Sequence, residues 1–415
     1  KLTTLSGDNL MQYIVNDKKD LLRMAYDNRI LGAIIASIFV SESIDKRIEK
    51  LTGEKNVSDI LLKSLDHNVT TEMGFMLSRI SDIARKNENV VEYLEKHEKD
   101  DNFLDGLKSV PGGEETSDAL DTFLQRFGMR CPGEIDITRD RFVESPTKLI
   151  PIILNNIRVL KEGEYKERFE AGRNEALTKK KEILEIISKT PGGKRKAKKL
   201  EKNIDLLRNF SGCREDPKYY IVKRFMVYKR AILKEAELLV QKGKLEKSED
   251  IFYLYIHELR DVIRGGNVDY NELNKRRTEF QVFEKLTPPR IFTSKGYVPK
   301  PDITVENLPE GAMPGIPVSS GIIEGRARVV LSINNAKVDE GDILVTRFTD
   351  PSWTPLFSTI SGLVTEVGGF TTHGAIVARE YGLPSVVGVQ NATTLIKDGQ
   401  LIRVNGSEGY VEIIN

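Results

Sequence analysis

A histidine in a loop of glycines and threonines is the residue of this sequence best placed to do chemistry. It lies in the segment VGGFTTHGAIVAREYGLPSVVG. Two glycines, Gly368 and Gly369, permit a tight turn after a strand. Two threonines, Thr371 and Thr372, can then cap a helix that begins at His373.

This arrangement suits a phosphohistidine. Neutral imidazole is a good nucleophile toward phosphorus, and free backbone N–H groups at the positive end of a helix bind phosphoryl groups. We therefore predict that His373 is catalytic and that Thr371, Thr372 and Gly374 bind the phosphoryl group. The alternative is a helix-capping loop whose histidine merely packs against its neighbours.

The elements around this loop change character along the chain. From Asp8 to about Lys285, apolar residues recur at three- and four-residue steps, which predicts helices. After Pro317, short β-branched runs bounded by Gly, Asp and Asn predict strands, with helical segments near 355–361 and 373–381. The predicted strands cover 327–333, 342–348, 362–367, 384–389 and 400–406. We expect a multidomain protein in which a large, mostly α-helical domain precedes a small α/β domain.

A proline-rich stretch separates the two regions. Between Leu286 and Pro317 the sequence has prolines at 288, 289, 299, 301, 309, 314 and 317. Proline at that density favours a stiff, extended connector. We interpret 286–317 as an interdomain linker between a helical domain at 1–285 and a histidine domain at 318–415.

A second candidate site lies in the segment SGCREDPKYYIVKRF. Asp216 and Pro217 favour the start of a helix, and Lys218 then lies in its first turn, on the same face as several apolar residues. Phosphoryl transfer needs fixed positive charge around the migrating group, which Arg214 and Lys218 could supply. Alternatively, both cations are solvated or pair with the neighbouring acidic residues.

An irregular segment interrupts the helical region at 127–148, where glycine and proline break the periodicity. It contains Arg130, Glu134 and Asp136. These charged side chains could line an acceptor pocket, or they could hold the loop through buried ion pairs. The sequence leaves both interpretations open.

The composition gives little reason to expect a nucleic acid or a membrane as partner. The 415 residues include 63 basic and 62 acidic side chains, for a net charge of +1. The longest apolar stretch, 30–40, is shorter than the roughly 20 residues that span a bilayer. Cys131 and Cys213 make no disulfide framework, which favours a reducing cytoplasm. The other three histidines lack partners at metal-ligand spacing, so we expect no metal site.

The histidine segment resembles the mobile domain of the phosphoenolpyruvate-utilising enzymes. That family's signature runs Gly-Gly-x-Thr-x-His-small-small-aliphatic-aliphatic-small-Arg, and the sequence follows it from Gly368 to Arg379. Gly374 is a departure, since other branches usually carry Ala or Ser there. The resemblance covers about residues 315–415. It implies a small swivelling β/β/α phosphohistidine domain in which His373 accepts and passes on a phosphoryl group.

The order of segments resembles one branch of that family, the rifampin (rifampicin) phosphotransferases. In that branch an ATP-grasp domain, which binds ATP and Mg²⁺, precedes a helical rifamycin-binding domain and a C-terminal histidine domain. The sequence shows no Gly-rich nucleotide-binding segment and starts at Lys1. We therefore interpret it as a fragment without the ATP-grasp domain, and part of the helical domain could also precede Lys1.

The resemblance implies that His373 takes the β-phosphoryl group of ATP and delivers it to a hydroxyl of rifampin, with AMP and inorganic phosphate as products. It also favours the acceptor-site interpretation of Arg214 and Lys218. Two alternatives stay open: a phosphoenolpyruvate synthase-like water dikinase with another acceptor, and a non-enzymatic phosphocarrier on a helical binding scaffold. The expected partners are a rifamycin-type antibiotic and the protein's own ATP-grasp domain, in the cytoplasm.

Overall fold

The computed structural model describes residues 4–100, 102–286, 292–298, 308–333 and 337–414. The chain forms two compact units. The first unit comprises Lys1–Asp27, Glu134–Arg139 and Pro217–Pro301, and the second comprises Asn28–Gly133, Asp140–Asp216 and Asp302–Asn415. The domains expected from the sequence are continuous segments of the chain, 1–285 and 318–415. Those boundaries stay a prediction.

Helices dominate the chain before residue 286. The described α-helices are α1 (Gly7–Ala25), α2 (Asn28–Thr52), α3 (Val57–Leu61), α4 (Val69–Ala84), α5 (Glu88–Lys96), α6 (Phe103–Leu107), α7 (Gly113–Phe127), α8 (Ile150–Val159), α9 (Glu164–Ser188), α10 (Gly193–Ser211), α11 (Asp216–Gln241), α12 (Ile256–Ile263), α13 (Tyr270–Phe283), α14 (Thr354–Phe357), α15 (His373–Tyr381) and α16 (Ala392–Leu395). Short 3-10 turns cover Pro146–Leu149, Gly212–Glu215, Ser248–Tyr253 and Pro351–Trp353.

The first unit packs α1 against α12 around a small apolar core. Its buried members include Leu10, Met11, Ala236, Leu239, Leu259 and Val262. Asp8 in the first turn of α1 accepts a hydrogen bond from Arg260 at 2.6 Å and lies 2.9 Å from Arg264. These two guanidinium groups hold the pKa of Asp8 at about 2. The carboxylate is therefore ionised at neutral pH, and its ion pairs hold α1 against the C-terminal end of α12.

The helices of the second unit share a core made by residues one turn apart. Ile44 and Ile48 on α2 face Ile183 and Ile187 on α9, and Leu200 and Ile204 on α10 complete the cluster. Four-residue spacing places each pair on one helix face. This is the periodicity that predicted helices from the sequence.

The second unit also contains a mixed sheet. Its strands are β1 (Met313–Pro314), β2 (Ile316–Ser319), β3 (Ile322–Val329), β4 (Ile343–Thr346), β5 (Gly362–Thr365), β6 (Ser385–Val387), β7 (Leu401–Asn405) and β8 (Tyr410–Ile413). Among the described residues the strand order is β1-β8-β7-β3-β4-β5-β6-β2. Strands β3 to β6 run parallel, and the remaining pairs are antiparallel.

Alternating side chains give the sheet an apolar core on each face. In β4, Leu344 packs in one core, whereas Ile343 and Val345 pack in the other. The first core receives Trp353, Leu356 and Phe357 from the α14 region and Val377 and Ala378 from α15. Strands covered on both faces are near-continuous apolar runs, as β4 and β5 are in this sequence.

The end of the proline-rich stretch belongs to the sheet. Pro314 lies in β1 and Pro317 in β2, and these are the two edge strands. Proline lacks the N–H that a central strand would donate, so an edge is the position it tolerates. The linker expectation for 286–317 otherwise falls largely on 287–291 and 299–307, outside the described residues.

The expected fold class is confirmed: a large helical region is followed by a strand-rich domain. The five predicted strands correspond to β3–β7, and the irregular segment 127–148 falls between α7 and the 3-10 turn at Pro146. The sequence patterns missed β1 and β2, which lie in the proline-rich stretch, and β8. Among the described helices, none combines the length and the apolarity that crossing a membrane requires.

The core between α2, α9 and α10 gives a first prediction. Ile48 is fully buried, so Ile48→Ala leaves a cavity and should lower the free energy of unfolding by about 2–5 kcal/mol. Leu51 lies on the same helix but is 46% exposed, and Leu51→Ala should cost less than about 0.5 kcal/mol. Denaturant unfolding of both variants measures the difference. Equal costs would show that this face of α2 is not packed as described.

Candidate active site

The sheet brings His373 to the carboxyl edge of two parallel strands. The chain leaves β4 and β5 side by side, because Glu366 N donates to Thr346 O at 3.1 Å and Val367 N donates to Arg347 O at 2.8 Å. Each strand then leads into a helix: α14 begins at Thr354, and α15 begins at His373. Functional groups of parallel sheets gather at this edge.

Both ring nitrogens of His373 face polar groups. Its Nε2 lies 3.2 Å from the Thr354 hydroxyl, which donates its own hydrogen to Pro351 O at 2.9 Å. The Thr354 oxygen is thus available to accept a hydrogen from Nε2. On the other side, Nδ1 lies 3.8 Å from a carboxylate oxygen of Glu215. Phe357 packs edge-on against the ring, with centroids 6.4 Å apart.

Glu215 connects the imidazole to a guanidinium group. It is buried in the 3-10 turn Gly212–Glu215, and its other oxygen lies 3.1 Å from Arg214. Arg379, on α15, lies within electrostatic range of Arg214. Burial lowers the pKa of Arg379, Asp59 opposes that shift, and Arg214 adds to it. Arg214 and Arg379 therefore lie beside the histidine loop, and the carboxylate of Glu215 lies beside the His373 imidazole.

The loop before His373 is closed by Thr372. This threonine is the N-cap residue of α15 by position, but its hydroxyl makes no capping bond. The hydroxyl instead donates to Gly369 O at 2.8 Å and accepts from Gly369 N at 3.3 Å. A Cβ at Gly368 would lie 2.3 Å from Cβ of Val387, so close approach to β6 requires that glycine. Phosphoryl binding by Thr372 stays a prediction.

A cavity of about 500 Å³ adjoins the histidine loop within the second unit. Phe370 and Thr371 of the loop line it, together with Arg214 and Arg379. Apolar side chains in the wall include Ile34, Ile38, Leu62, Leu207 and Ile376, and four carboxyl groups also line it, from Glu42, Asp45, Asp59 and Glu380. Its volume is in the range of sites for drug-sized molecules, roughly 300–1,000 Å³.

The remaining residues proposed from the sequence are distributed over both units. Lys218 belongs to the first unit, where its Nζ lies 3.3 Å from a carboxylate oxygen of buried Glu134. Asp136, also in the first unit, accepts hydrogen bonds from Thr138 N and Oγ1 at 2.9 and 2.8 Å. Arg130 is fully buried in the second unit. Acceptor-site roles for these residues stay predictions.

The described part of the chain contains no group of three His, Cys, Asp or Glu side chains that could hold a metal ion. Mg²⁺ bound with ATP needs carboxylate oxygens beside the phosphates.

Comparison with known proteins identifies both parts of the second unit. Residues 29–215 match the model of the rifampicin phosphotransferase fourth domain, and residues 338–409 match the PEP-utilising enzyme mobile domain. The chain is 50% identical to rifampicin phosphotransferase from Bacillus subtilis over 99% of its own length and 48% of the relative's. The chain carries a fourth domain of the rifampicin phosphotransferase type and a PEP-utilising mobile domain.

Other members of the wider group agree with this placement. The Bacillus cereus rifampicin phosphotransferase is 49% identical over 100% of this chain and 48% of its own length. A phosphoenolpyruvate synthase from Aeropyrum pernix is 48% identical over 26% of this chain and 13% of its own length. The chain thus spans about half the length of the rifampicin phosphotransferases it matches.

The sequence analysis missed two neighbours of His373 that the folded chain brings to the imidazole, Thr354 and Glu215. Thr354 follows the Asp-Pro-Ser-Trp segment, and parallel strands bring it to the imidazole. Glu215 stands beside Arg214 and was considered only as an ion-pair partner for it. A signal for Thr354 was available, because strands joined by a helical segment can run parallel and then end at the same edge of a sheet.

Gly374 gives a second prediction. A Cβ there would lie 2.5 Å from Thr349 Oγ1 and 3.3 Å from a Leu363 methyl carbon. We expect Gly374→Ala to lower the free energy of unfolding by about 1–3 kcal/mol through overpacking. Removing the obstructing hydroxyl in Gly374→Ala/Thr349→Ala should recover part of that loss relative to the sum of the single variants. Strict additivity in a double-mutant cycle would contradict the contact.

Proposed function

We propose that this chain carries the phosphoryl-transfer part of a rifampicin phosphotransferase. His373 accepts a phosphoryl group and delivers it to a hydroxyl of a rifamycin held in the cavity beside the histidine loop. The observation that carries the proposal is the juxtaposition of a buried imidazole, two cations and a drug-sized apolar cavity in one compact unit.

The surroundings of the imidazole favour Nε2 as the phosphorylated atom. A dianionic phosphoryl group on Nδ1 would lie against the carboxylate of Glu215, which is 3.8 Å away. On Nε2 it would instead take the place of the contact with the Thr354 hydroxyl. Glu215 would then accept a hydrogen bond from Nδ1–H. That proton keeps the ring cationic, which makes it a better leaving group.

Delivery to the acceptor is the second step of the proposal. The oxygen of a rifamycin hydroxyl attacks phosphorus and forms a P–O bond, the P–N bond breaks with its electron pair returning to the imidazole, and the hydroxyl proton passes to solvent. Arg214 and Arg379 line the cavity and would offset the negative charge of the transferring group. The mostly apolar remainder of the cavity would bind the hydrocarbon skeleton of the antibiotic.

The phosphoryl donor in this proposal is the β-phosphoryl group of ATP. ATP, water and the antibiotic would give AMP, inorganic phosphate and the phosphate ester. The proposal places ATP and Mg²⁺ on an ATP-grasp domain outside this chain, which spans about half the length of the rifampicin phosphotransferases it matches. Cys131 and Cys213 are free thiols, which agrees with the cytoplasmic location that we also propose.

The central test uses a small phosphoryl donor that needs no nucleotide site. Potassium phosphoramidate phosphorylates histidines directly, and mass spectrometry then detects a rifampicin phosphate ester. We expect the ester with the unaltered chain and none with His373→Ala, because the carrier nitrogen is lost. Rifampicin binding by calorimetry should be unchanged, since His373→Ala leaves the apolar wall of the cavity in place.

His257 is exposed and lies in the first unit, so His257→Ala is the matched control and should transfer normally. Ester formation by His373→Ala at the rate of the control would remove the carrier role. Loss of transfer in both variants would show that the effect of His373→Ala is not specific to this histidine.

The two cations proposed from the sequence have a test of their own. Loss of one group that stabilises transition-state charge typically costs about 2.7–4 kcal/mol, or about a hundred- to a thousandfold in rate. We expect transfer to slow by that amount in Arg214→Ala and in Lys218→Ala, with little change in melting temperature. Lys223 is exposed on the same helix as Lys218, and Lys223→Ala should be neutral. A lower melting temperature with normal transfer would show that Lys218 serves Glu134 and the fold.

A further inference from the structure

The helix that begins at His373 is fixed at its other end by a buried carboxylate. Glu380 is the eighth residue of α15 and is 4% exposed. Both of its carboxylate oxygens accept hydrogen bonds from Asn68 Nδ2, at 2.6 and 2.8 Å. Thr71 Oγ1 donates a third hydrogen bond at 3.1 Å. The mechanism proposed above assigns this network no role.

The donors to Glu380 lie at the start of α4. Asn68 is the N-cap of α4, and its Oδ1 accepts from the backbone N–H groups of Thr70 and Thr71 at 2.8 and 3.3 Å. The positive end of α4 therefore faces the carboxylate of Glu380. Nearby, Ser64 N donates to the backbone oxygen of Glu380 at 3.0 Å. One residue of α15 thus meets both side-chain and backbone donors.

These contacts belong to a docking face between two parts of the second unit. We call residues 28–133 and 140–216 the helical part, and residues 308–414 the histidine part. Three backbone amides donate across this face: Ser64 to Glu380 O, Gly133 to Asp350 Oδ2 at 2.9 Å, and Ser320 to Asp59 Oδ2 at 3.1 Å. Tyr165 and Tyr381 also meet there through their hydroxyl groups.

We propose that Glu380 is a positioning residue that holds the histidine part against the helical part and so sets how readily His373 leaves its position beside the acceptor cavity. The inference rests on the proposed function, because a carrier histidine must leave the acceptor to be recharged. Separation of the two parts would return the carboxylate to water and free Asn68 and Thr71. The contact joins a carboxyl group that is 4% exposed to the Asn68 amide and the Thr71 hydroxyl, near the end of the His373 helix.

Burial makes this contact sensitive to pH. Desolvation raises the pKa of Glu380 to about 7 from its ordinary 4.5, while hydrogen bonds from Asn68 and Thr71 oppose the shift. The charged groups facing it are Glu215, which raises the pKa, and Arg379, which lowers it. Tyr165 and Tyr381 pack alongside as buried neutral hydroxyls. The protonated carboxyl is therefore the form that docking favours.

The sign follows from linkage. The pKa of Glu380 is higher when the two parts are docked than when they are separated. The contribution of Glu380 to docking is therefore complete below pH 4.5 and is lost as pH rises through about 7. With those two values, the docking equilibrium shifts about tenfold toward separation between pH 6 and pH 8. Asp59, across the same face, also has a pKa raised by burial and adds a shift of the same sign.

Amide hydrogen exchange on the whole chain measures this equilibrium. We expect the protection factors of Ser64, Gly133 and Ser320, corrected for intrinsic exchange, to fall together from pH 6 to pH 8. In Glu380→Gln, which cannot ionise, that fall should be about tenfold smaller. Asp59 and the other ionisable groups are present in both proteins, so the difference between the two profiles isolates Glu380.

Three controls keep the result specific. Leu344 N, in the central strand β4, should stay protected, which separates docking from global unfolding. Glu340→Gln removes an exposed pair across the face, 3.6 Å from Arg168, and should leave the profile unchanged. Asn68→Asp keeps a good N-cap but puts a second carboxylate against Glu380, and should lower protection of all three amides at pH 8.

Equal pH profiles for Glu380→Gln and the unaltered chain would overturn the inference. So would a change at Ser64 alone, which would mean local fraying of α15, or a parallel loss at Leu344. If Glu380→Gln folds poorly, Asn68→Asp decides the matter by itself, since normal protection at pH 8 would reject the role. The experiment uses no antibiotic and no phosphoryl donor, so its result does not depend on whether rifampicin transfer is observed.

Discussion

The parallel alignment of β4 and β5 is the constraint on which the arrangement at His373 depends. It places the first residues of α14 and α15 at one edge of the sheet, so that a hydroxyl and an imidazole separated by 18 intervening residues meet at 3.2 Å. The apolar cores on both faces of these strands hold that register. Glu215, from the helical part, then approaches the other side of the ring. The environment of the imidazole is thus made by two segments that separate only if the docking face opens.

Local motifs explain why the sequence predicted some of this site well. The strand, turn and helix around His373 are continuous in the chain, and glycine, threonine and histidine each have a distinct local role there. The proline-rich stretch was harder, since proline density predicted a connector while Pro314 and Pro317 join the edges of the sheet. Edge pairing depends on which strands lie outermost, and that is a property of the whole sheet.

Glu380 shows why the long-range contacts of the site could not be predicted from the sequence. It directly follows the family signature, which ends at Arg379, as an ordinary helical glutamate, and its partner Asn68 lies 312 residues away. Glu215 was visible only as a neighbour of Arg214, because nothing in the local pattern shows which imidazole it approaches. Long-range pairs of this kind leave no periodicity or spacing, and only the folded chain places them together.

The two proline-bearing edge strands have a consequence for a domain that travels. A sheet that leaves its docking surface exposes new backbone to solvent, and unpaired edge strands readily join other sheets. Here the outermost strands are short and carry Pro314 and Pro317, which cannot donate to an incoming strand. The histidine part is therefore protected against strand-to-strand association at both ends of its sheet. If this part is released as proposed above, the two edges would disfavour its pairing with other sheets.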